Sequence, residues 1–211
     1  MPVEKKEVQI VEEAKTTENT EIQDEIIEDT EVSSENENEA LEEQDVEAAK
    51  DVEAAEEVEI TEYEIPTSFV NPVTGNTVKY KGGKTIERTA KITYGDAGEI
   101  NRLATPDNDG FMKLDDRYLI AVGSHFDTEP GQYIDLVLEN GVVIQCIMGD
   151  LKADEDTDNT NIFTYHSRCC SEFIIDENSI RSDIYERGNA SLKNSQWDSP
   201  VASVVVYDEC Y

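Results

Sequence analysis

Asp150 is the residue whose position in the sequence best suits chemistry. The apolar run Val142–Met148 is followed directly by Gly149 and Asp150, so a predicted strand ends in a carboxylate. A carboxylate at a partly desolvated strand end has a raised pKa, which is what a general acid needs. The alternative is that Asp150 only caps a turn.

Two further carboxylates border another apolar run. Glu172 and Asp176 lie four residues apart on either side of Phe-Ile-Ile. In a strand, this spacing places both side chains on one face. That face is either part of a site or the solvent-exposed side of a sheet.

The two histidines, His125 and His166, are too few and too far apart to indicate a zinc site. His166 follows the polar loop after Asp150 and could fold back beside that carboxylate as an acid/base partner. The alternative is an ordinary surface histidine.

The segment Asp154–Asp158 has aspartates at alternate positions, like the start of a calcium loop. It lacks the glycine expected at the sixth position, and Tyr165 takes the place of the glutamate at the twelfth. We therefore expect a solvated loop, with no metal and no cofactor. The four cysteines form no Cys-x-x-Cys pair, which predicts free thiols.

Short strands with turn signals between them must position these residues. Pro130-Gly131 and Asn140-Gly141 are typical turn pairs. The predicted strands are Leu119–Val122, Gln132–Leu138, Val142–Met148, Glu172–Asp176 and Val201–Tyr207, with shorter β-prone pieces at Thr77–Tyr80, Thr85–Thr89 and Lys91–Tyr94. The predicted helices are Ala97–Leu103 and Ser179–Arg187, the second capped by Ser179. This pattern indicates a small, mainly β barrel with an acidic rim.

Charge divides the chain into two parts. Residues 1–64 hold 25 Asp/Glu and 4 Lys/Arg, a net charge of −21 out of −32 for the whole chain. Such a segment buries too little apolar surface to offset its ordering entropy. We predict a disordered acidic tail over 1–62, a linker or small β-hairpin over 63–110, and the β-barrel domain over 111–211.

Composition also excludes several classes of partner. The chain has no basic stripe that would bind nucleic acid, and no apolar run approaches the roughly 20 residues of a membrane helix. The N-terminus, Met-Pro-Val-Glu-Lys-Lys, has no apolar signal region. We therefore expect neither nucleic acid nor membrane as a partner, and a location in a bacterial cytoplasm or in a virion.

The order of these motifs resembles the triple-aspartate and rare-lipoprotein-A-like domains of bacterial cell-wall proteins. The resemblance covers about residues 117–208 and is closest to an uncharacterised version in Firmicutes and their phages. It is carried by Ile120-Ala-Val-Gly, Pro130-Gly131, Val143–Asp150, Glu172–Asp176, and Trp197 with Val201–Tyr207. The resemblance implies a six-stranded double-psi β-barrel with one or two short helices.

The resemblance further implies a barrel that binds peptidoglycan or cleaves it as a lytic transglycosylase. The missing signal region indicates that it is carried by a phage or encoded by a prophage. Asp150 matches the family's central aspartate, the general acid/base that cleaves the bond between the muramic acid (MurNAc) and glucosamine (GlcNAc) sugars. Glu172 falls where the family has a later aspartate, whereas Gly123 replaces the first aspartate of the motif.

On this basis, two sets of site residues are expected. The predicted catalytic residues are Asp150, Glu172 and His166, and the predicted substrate-binding residues are Asp176, His125 and Asp154. The expected partners are peptidoglycan glycan strands or other virion proteins.

Two other functions remain open. Because Gly123 departs from the motif, the chain could be a non-catalytic virion structural or assembly module with an acidic docking tail. It could also be an acidic decoy or inhibitor that binds a basic partner through residues 1–64.

Overall fold

The computed structural model describes residues 58–88 and 92–211, so the predicted tail up to residue 57 lies outside the described residues. Eleven strands and two α-helices are found in this part of the chain. The strands are β1 (Ile60–Glu64), β2 (Ser68–Val70), β3 (Thr77–Lys79), β4 (Thr85–Glu87), β5 (Thr105–Pro106), β6 (Met112–Leu114), β7 (Arg117–Val122), β8 (Gln132–Leu138), β9 (Val143–Leu151), β10 (Glu172–Ile174) and β11 (Val201–Cys210). The helices are α1 (Gly95–Leu103) and α2 (Ser182–Arg187). Neither helix is both long and apolar enough to cross a membrane.

Nine strands form one open sheet. Its hydrogen-bonded order is β1-β11-β8-β9-β7-β10-β4, with the β5–β6 hairpin attached to β7. The pairs β7–β9 and β10–β4 are parallel, whereas β8 is antiparallel to both β9 and β11. The short strands β2 and β3 form a separate hairpin.

The prediction of a mainly β protein with two short helices is confirmed. The sheet, however, has more strands than the six expected and does not close into a barrel along the described residues, because β1 and β4 remain at opposite ends of the strand order. The additional strands come from residues 60–114, part of which the sequence assigned to a linker. Ile60–Glu62, assigned to the tail, begin β1, where Ile60 and Tyr63 are buried.

Opposite faces of the sheet carry different cores. The larger core is rich in aromatic residues, and in it the indole of Trp197 stacks on Phe173 at 5.1 Å. A smaller core on the other face joins Leu119, Ile147 and Ile174 to the inner side of α1. Successive side chains of a strand point to opposite faces of the sheet. Neighbouring residues of β7 and β10 therefore belong to different cores. All four cysteines are free thiols, and Cys210 alone is exposed.

Candidate functional site

A bulge in β9 determines where Asp150 lies. Ile120 of β7 pairs with Met148, but the next residue, Ala121, pairs with Asp150, so Gly149 is the additional residue. A bulge of this kind re-aims the side chains that follow it. A Cβ atom at position 149 would lie 2.6 Å from Cδ1 of Ile174, so a side chain there would displace the end of Ile174.

The bulge places Asp150 and Glu172 on either side of the same residue of β7. Ala121 pairs with Asp150 on one side and with Glu172 of β10 on the other. The predicted strand end at Gly149-Asp150 is one residue short, because β9 continues to Leu151.

Lys152 joins two further side chains to this group. Its Nζ contacts the carboxylates of both Glu87 and Glu172. Both acids are buried, with 7% and 8% of their surface exposed. We refer to Glu87, Asp150, Lys152 and Glu172 as the acidic cluster.

Hydroxyl groups hold the other oxygen of Glu172. The Oγ of Ser167 donates to Oε1 at 3.1 Å, and Oγ1 of Thr164 donates to the same atom at 3.2 Å. Both oxygens of this buried carboxylate are therefore occupied, which fixes its orientation.

Burial and charge act against each other in the acidic cluster. Burial raises the pKa of Glu172, Lys152 opposes this effect, and the neighbouring Glu87 raises the pKa further. The pKa of Asp150 is raised for the same reasons: burial first, with Lys152 opposing and Glu87 adding to the shift. Although burial disfavours the ammonium, Glu172 and Glu87 raise the pKa of Lys152.

Two buried carboxylates contact the ammonium of Lys152, and Asp150 lies close enough for its charge to interact with that of Lys152. Low local dielectric makes neighbouring carboxylates costly to ionise together, and the cost falls when one carboxyl group keeps its proton. The cluster therefore combines a carboxyl suited to donate a proton with carboxylates suited to accept one.

A cleft of about 890 Å³ reaches the cluster at Glu87. The cleft lies between α1 and the end of β10, and its volume falls within the range of small-molecule sites. Its apolar lining includes Ile92, Ala104, Met112 and Ile174. Its polar lining includes Asp96, Glu99, Arg102, Asp176 and Glu177.

Asp176 and His166 lie apart from the acidic cluster. β10 ends at Ile174, so the two-residue period does not extend to Asp176, whose carboxylate accepts a hydrogen bond from Ser179 Oγ at 2.7 Å. Asp176 nevertheless lines the cleft. His166 is exposed, and its ring packs on Tyr165 at 4.1 Å instead of folding back on Asp150.

The other two predicted substrate-binding residues lie near the loop after β7. Asp154 is exposed and accepts a hydrogen bond from Ser124 Oγ at 2.6 Å. His125 packs edge-on against Tyr63 and Phe126, and burial lowers its pKa although Asp158 opposes the shift. Neither residue is among those that line the cleft.

The loop that resembled a calcium site has a structural role at Asp158. This residue is buried, and its Oδ1 accepts hydrogen bonds from the backbone amides of Ile162 and Phe163 at 3.1 and 2.9 Å. Its carboxylate therefore folds the loop back on itself, whereas Asp154–Asp156 are exposed, as expected of a solvated loop.

The same loop explains the glycine at position 123. A Cβ atom there would lie 1.9 Å from the carbonyl oxygen of Asn161. An aspartate cannot occupy this place unless the loop moves. The carbonyl group of Asn161 thus leaves no space for a side chain at position 123.

Sequence reasoning missed Glu87 and Lys152. Glu87 reaches the cluster through the parallel pairing of β4 with β10, which matches Glu87 to Ile174. These two strands are far apart in the sequence, so no local pattern indicates that they pair. Lys152 lies two residues after Asp150, and this spacing on one strand face is the only signal that could have indicated it.

A scan against protein-family models found no match, and searches of curated proteins and of solved structures found none either.

Proposed function

We propose that this chain is a peptidoglycan-interacting protein of a phage or prophage that cleaves the MurNAc–GlcNAc bond as a lytic transglycosylase. In this proposal the open sheet is an elaborated variant of the double-psi β-barrel. The observation that carries the proposal is the acidic cluster at the end of the cleft. Burial raises the pKa of both Asp150 and Glu172 beside the ammonium of Lys152, which is the kind of environment that a general acid/base needs.

Asp150 is the proposed acid/base. Its protonated carboxyl group donates to the glycosidic oxygen as the bond to C1 of the muramic acid breaks. The resulting carboxylate then takes the proton of the 6-hydroxyl group of the same sugar, whose oxygen bonds to C1. The product is a 1,6-anhydro ring, so one carboxyl group suffices and water is not the nucleophile. Ordinary glycosidases need a pair of carboxylates for their reaction.

The rest of the cluster keeps Asp150 ready to donate. Burial and the charge of Glu87 favour its protonated form, while Lys152 limits the shift. Glu172 is held by Lys152, Ser167 and Thr164, so it is a positioning residue in this scheme.

The test is incubation of the full-length protein with purified sacculi, followed by mass spectrometry of the released muropeptides. We expect anhydro-muropeptides from the wild type and none from Asp150→Asn. The control is Glu155→Gln, which neutralises an exposed carboxylate on the neighbouring loop and is expected to leave the yield unchanged. No anhydro product from the wild type, or equal yield from Asp150→Asn, would remove the enzymatic assignment.

A second candidate is a non-catalytic virion structural or assembly module. The observation that favours it is Gly123, where the carbonyl group of Asn161 fills the space of a further aspartate. Quantitative mass spectrometry of virions separates the candidates: a structural module is present in stoichiometric copies, whereas a tail-borne lytic enzyme is present in a few.

A further inference from the structure

The bulge in β9 leaves Gly149 without a strand partner in register. The pairing of β8 with β9 runs from Val143 to Ile147 and does not reach position 149. On the other side, β7 pairs with Met148 and next with Asp150, so Gly149 is left out of the ladder. The additional residue of a bulge is unpaired in this way. Because glycine adopts many backbone conformations, Gly149 by itself does not fix the direction of the chain.

A side chain of α1 contacts this unpaired residue. Nδ2 of Asn101 donates to the carbonyl oxygen of Gly149 at 2.7 Å and to that of Ala97 at 2.8 Å. Both partners are acceptors, so the nitrogen of the amide faces them and both of its hydrogens are used. Ala97 lies one turn earlier in α1, and this second bond fixes the side chain against its own helix. The helix is in turn held by Ile100, which packs against the smaller core.

The contact acts on Asp150 through a single peptide group. The carbonyl group of Gly149 and the backbone N–H of Asp150 belong to the same planar unit. A donor that holds this carbonyl oxygen therefore holds the plane from which Asp150 projects. The side chain of Asp150 is half-buried, and its pKa responds to the charges of Lys152 and Glu87. Rotation of the peptide group would move the carboxyl group relative to both charges.

We propose that Asn101 is a positioning residue for Asp150: its amide holds the peptide group between Gly149 and Asp150 and thereby fixes the carboxyl group of Asp150 in the acidic cluster. The inference rests on the proposed function, in which Asp150 is the acid/base. Asn101 itself transfers no proton. Loss of its amide frees the carboxyl group to turn towards water, where the burial that raises its pKa is weaker.

Titration of Asp150 by NMR tests the contact independently of activity. The full-length protein is prepared with isotope-labelled aspartate, and the signal of Asp150 is the one absent from Asp150→Asn. We expect Asn101→Leu, which keeps the size of the side chain but has no donor, to lower the pKa of Asp150 towards its ordinary value of 3.8. Asn101→Ala should act in the same direction, and alanine favours the helix, so α1 is retained. The other aspartates should titrate as in the wild type, because the fold is intact.

Asn140→Leu is the matched control. Nδ2 of Asn140 donates to the carbonyl oxygen of Gln196 at 2.8 Å, so this variant removes the same kind of hydrogen bond at an exposed turn. It is expected to leave the pKa of Asp150 unchanged. An unchanged pKa in either Asn101 variant, an equal shift in Asn140→Leu, or a shift shared by the other aspartates would overturn the inference.

The sacculus assay separates this inference from the enzymatic proposal. If the wild type is active, both Asn101 variants are expected to release anhydro-muropeptides about 10–100-fold more slowly, since misplacing a reacting group by about 1 Å costs on the order of 100-fold. A wild-type rate in these variants would overturn the positioning role and leave the enzymatic assignment in place. No product from the wild type, together with the expected shift in the pKa of Asp150, would remove the enzymatic assignment but retain Asn101 as the residue that positions Asp150.

Discussion

Replacement of Lys152 by methionine should destabilise the fold strongly at neutral pH. Lys152 has a 13% exposed side chain and contacts two buried carboxylates, Glu87 and Glu172. Methionine keeps the hydrocarbon stem but removes the ammonium, so the buried carboxylates of Glu87 and Glu172 both lose their contact with it. Removing one partner of a buried ion pair costs about 3–5 kcal/mol. Because Lys152 retains some contact with water, we expect a loss near about 3 kcal/mol in the free energy of unfolding.

The loss should depend on pH in a defined direction. The ammonium opposes the upward shift of the pKa of Glu172, so its removal raises that pKa further above the ordinary value of 4.5. A carboxyl group whose pKa is raised in the folded state stabilises the fold below its ordinary value and loses that contribution as pH rises through the folded value. The deficit of Lys152→Met is therefore full at neutral pH and shrinks towards about pH 4, where the carboxyl groups hold their protons.

Urea unfolding followed by tryptophan fluorescence measures this deficit, because Trp197 is the single tryptophan and is buried against Phe173. Lys113→Met is the matched control. Its ion pair with the exposed Asp116 is expected to contribute no more than about 1 kcal/mol. The reasoning fails if Lys152→Met costs no more than Lys113→Met, or if its deficit is the same at acidic and neutral pH.

Two other substitutions test the space at position 123 and the charge of Asp150. Gly123→Asp should destabilise the protein by about 1–3 kcal/mol, because its Cβ atom meets the carbonyl oxygen of Asn161, and it should give no gain in activity. Urea unfolding measures the loss of stability, and the sacculus assay measures the activity. A stable and more active variant would contradict the structure. Asp150→Asn should stabilise the fold at neutral pH and have no effect below pH 3.8, the ordinary value for aspartate, because burial raises the pKa of Asp150 and makes its ionised form unfavourable in the fold. Unfolding curves across this pH range measure the difference, and a variant that is less stable at neutral pH would show that the charge of Asp150 helps the fold.

Local signals in the sequence predicted the central strands well. The predicted strand Gln132–Leu138 coincides with β8, and Asn140-Gly141 forms the turn into β9 as expected. These elements depend on alternation and on turn residues, which act within a few positions along the chain. Such information is present in any single sequence.

Helix ends and the bulge were less predictable. Ser179 does not cap α2, because its hydroxyl group donates to Asp176 and the helix begins at Ser182. Gly149 was interpreted as a strand end, since glycine commonly ends a strand, but here it makes room for Ile174. The identity of that neighbour depends on β10, which lies beyond the reach of local patterns.

The acidic cluster was half predictable for the same reason. Asp150 and Glu172 were identified from the strand ends they occupy. Glu87 joins them only through the parallel pairing of β4 with β10, and the attachment of β4 makes the sheet larger than expected. The site therefore draws its second buried acid from the region that the sequence assigned to a linker.

Stability alone does not account for the composition of the acidic cluster. One carboxylate would neutralise Lys152, and an ion pair in a buried place is often no more stabilising than apolar side chains of the same size. This chain instead places both Glu87 and Glu172 on the ammonium of Lys152, and a bulge brings Asp150 near enough for its charge to interact with that ammonium. Buried carboxyl groups are unfavourable for folding, and carboxyl groups with raised pKa values beside a cleft are typical of proton-transfer sites. The proposed acid/base role of Asp150 would account for this arrangement, which the stability of the fold does not require.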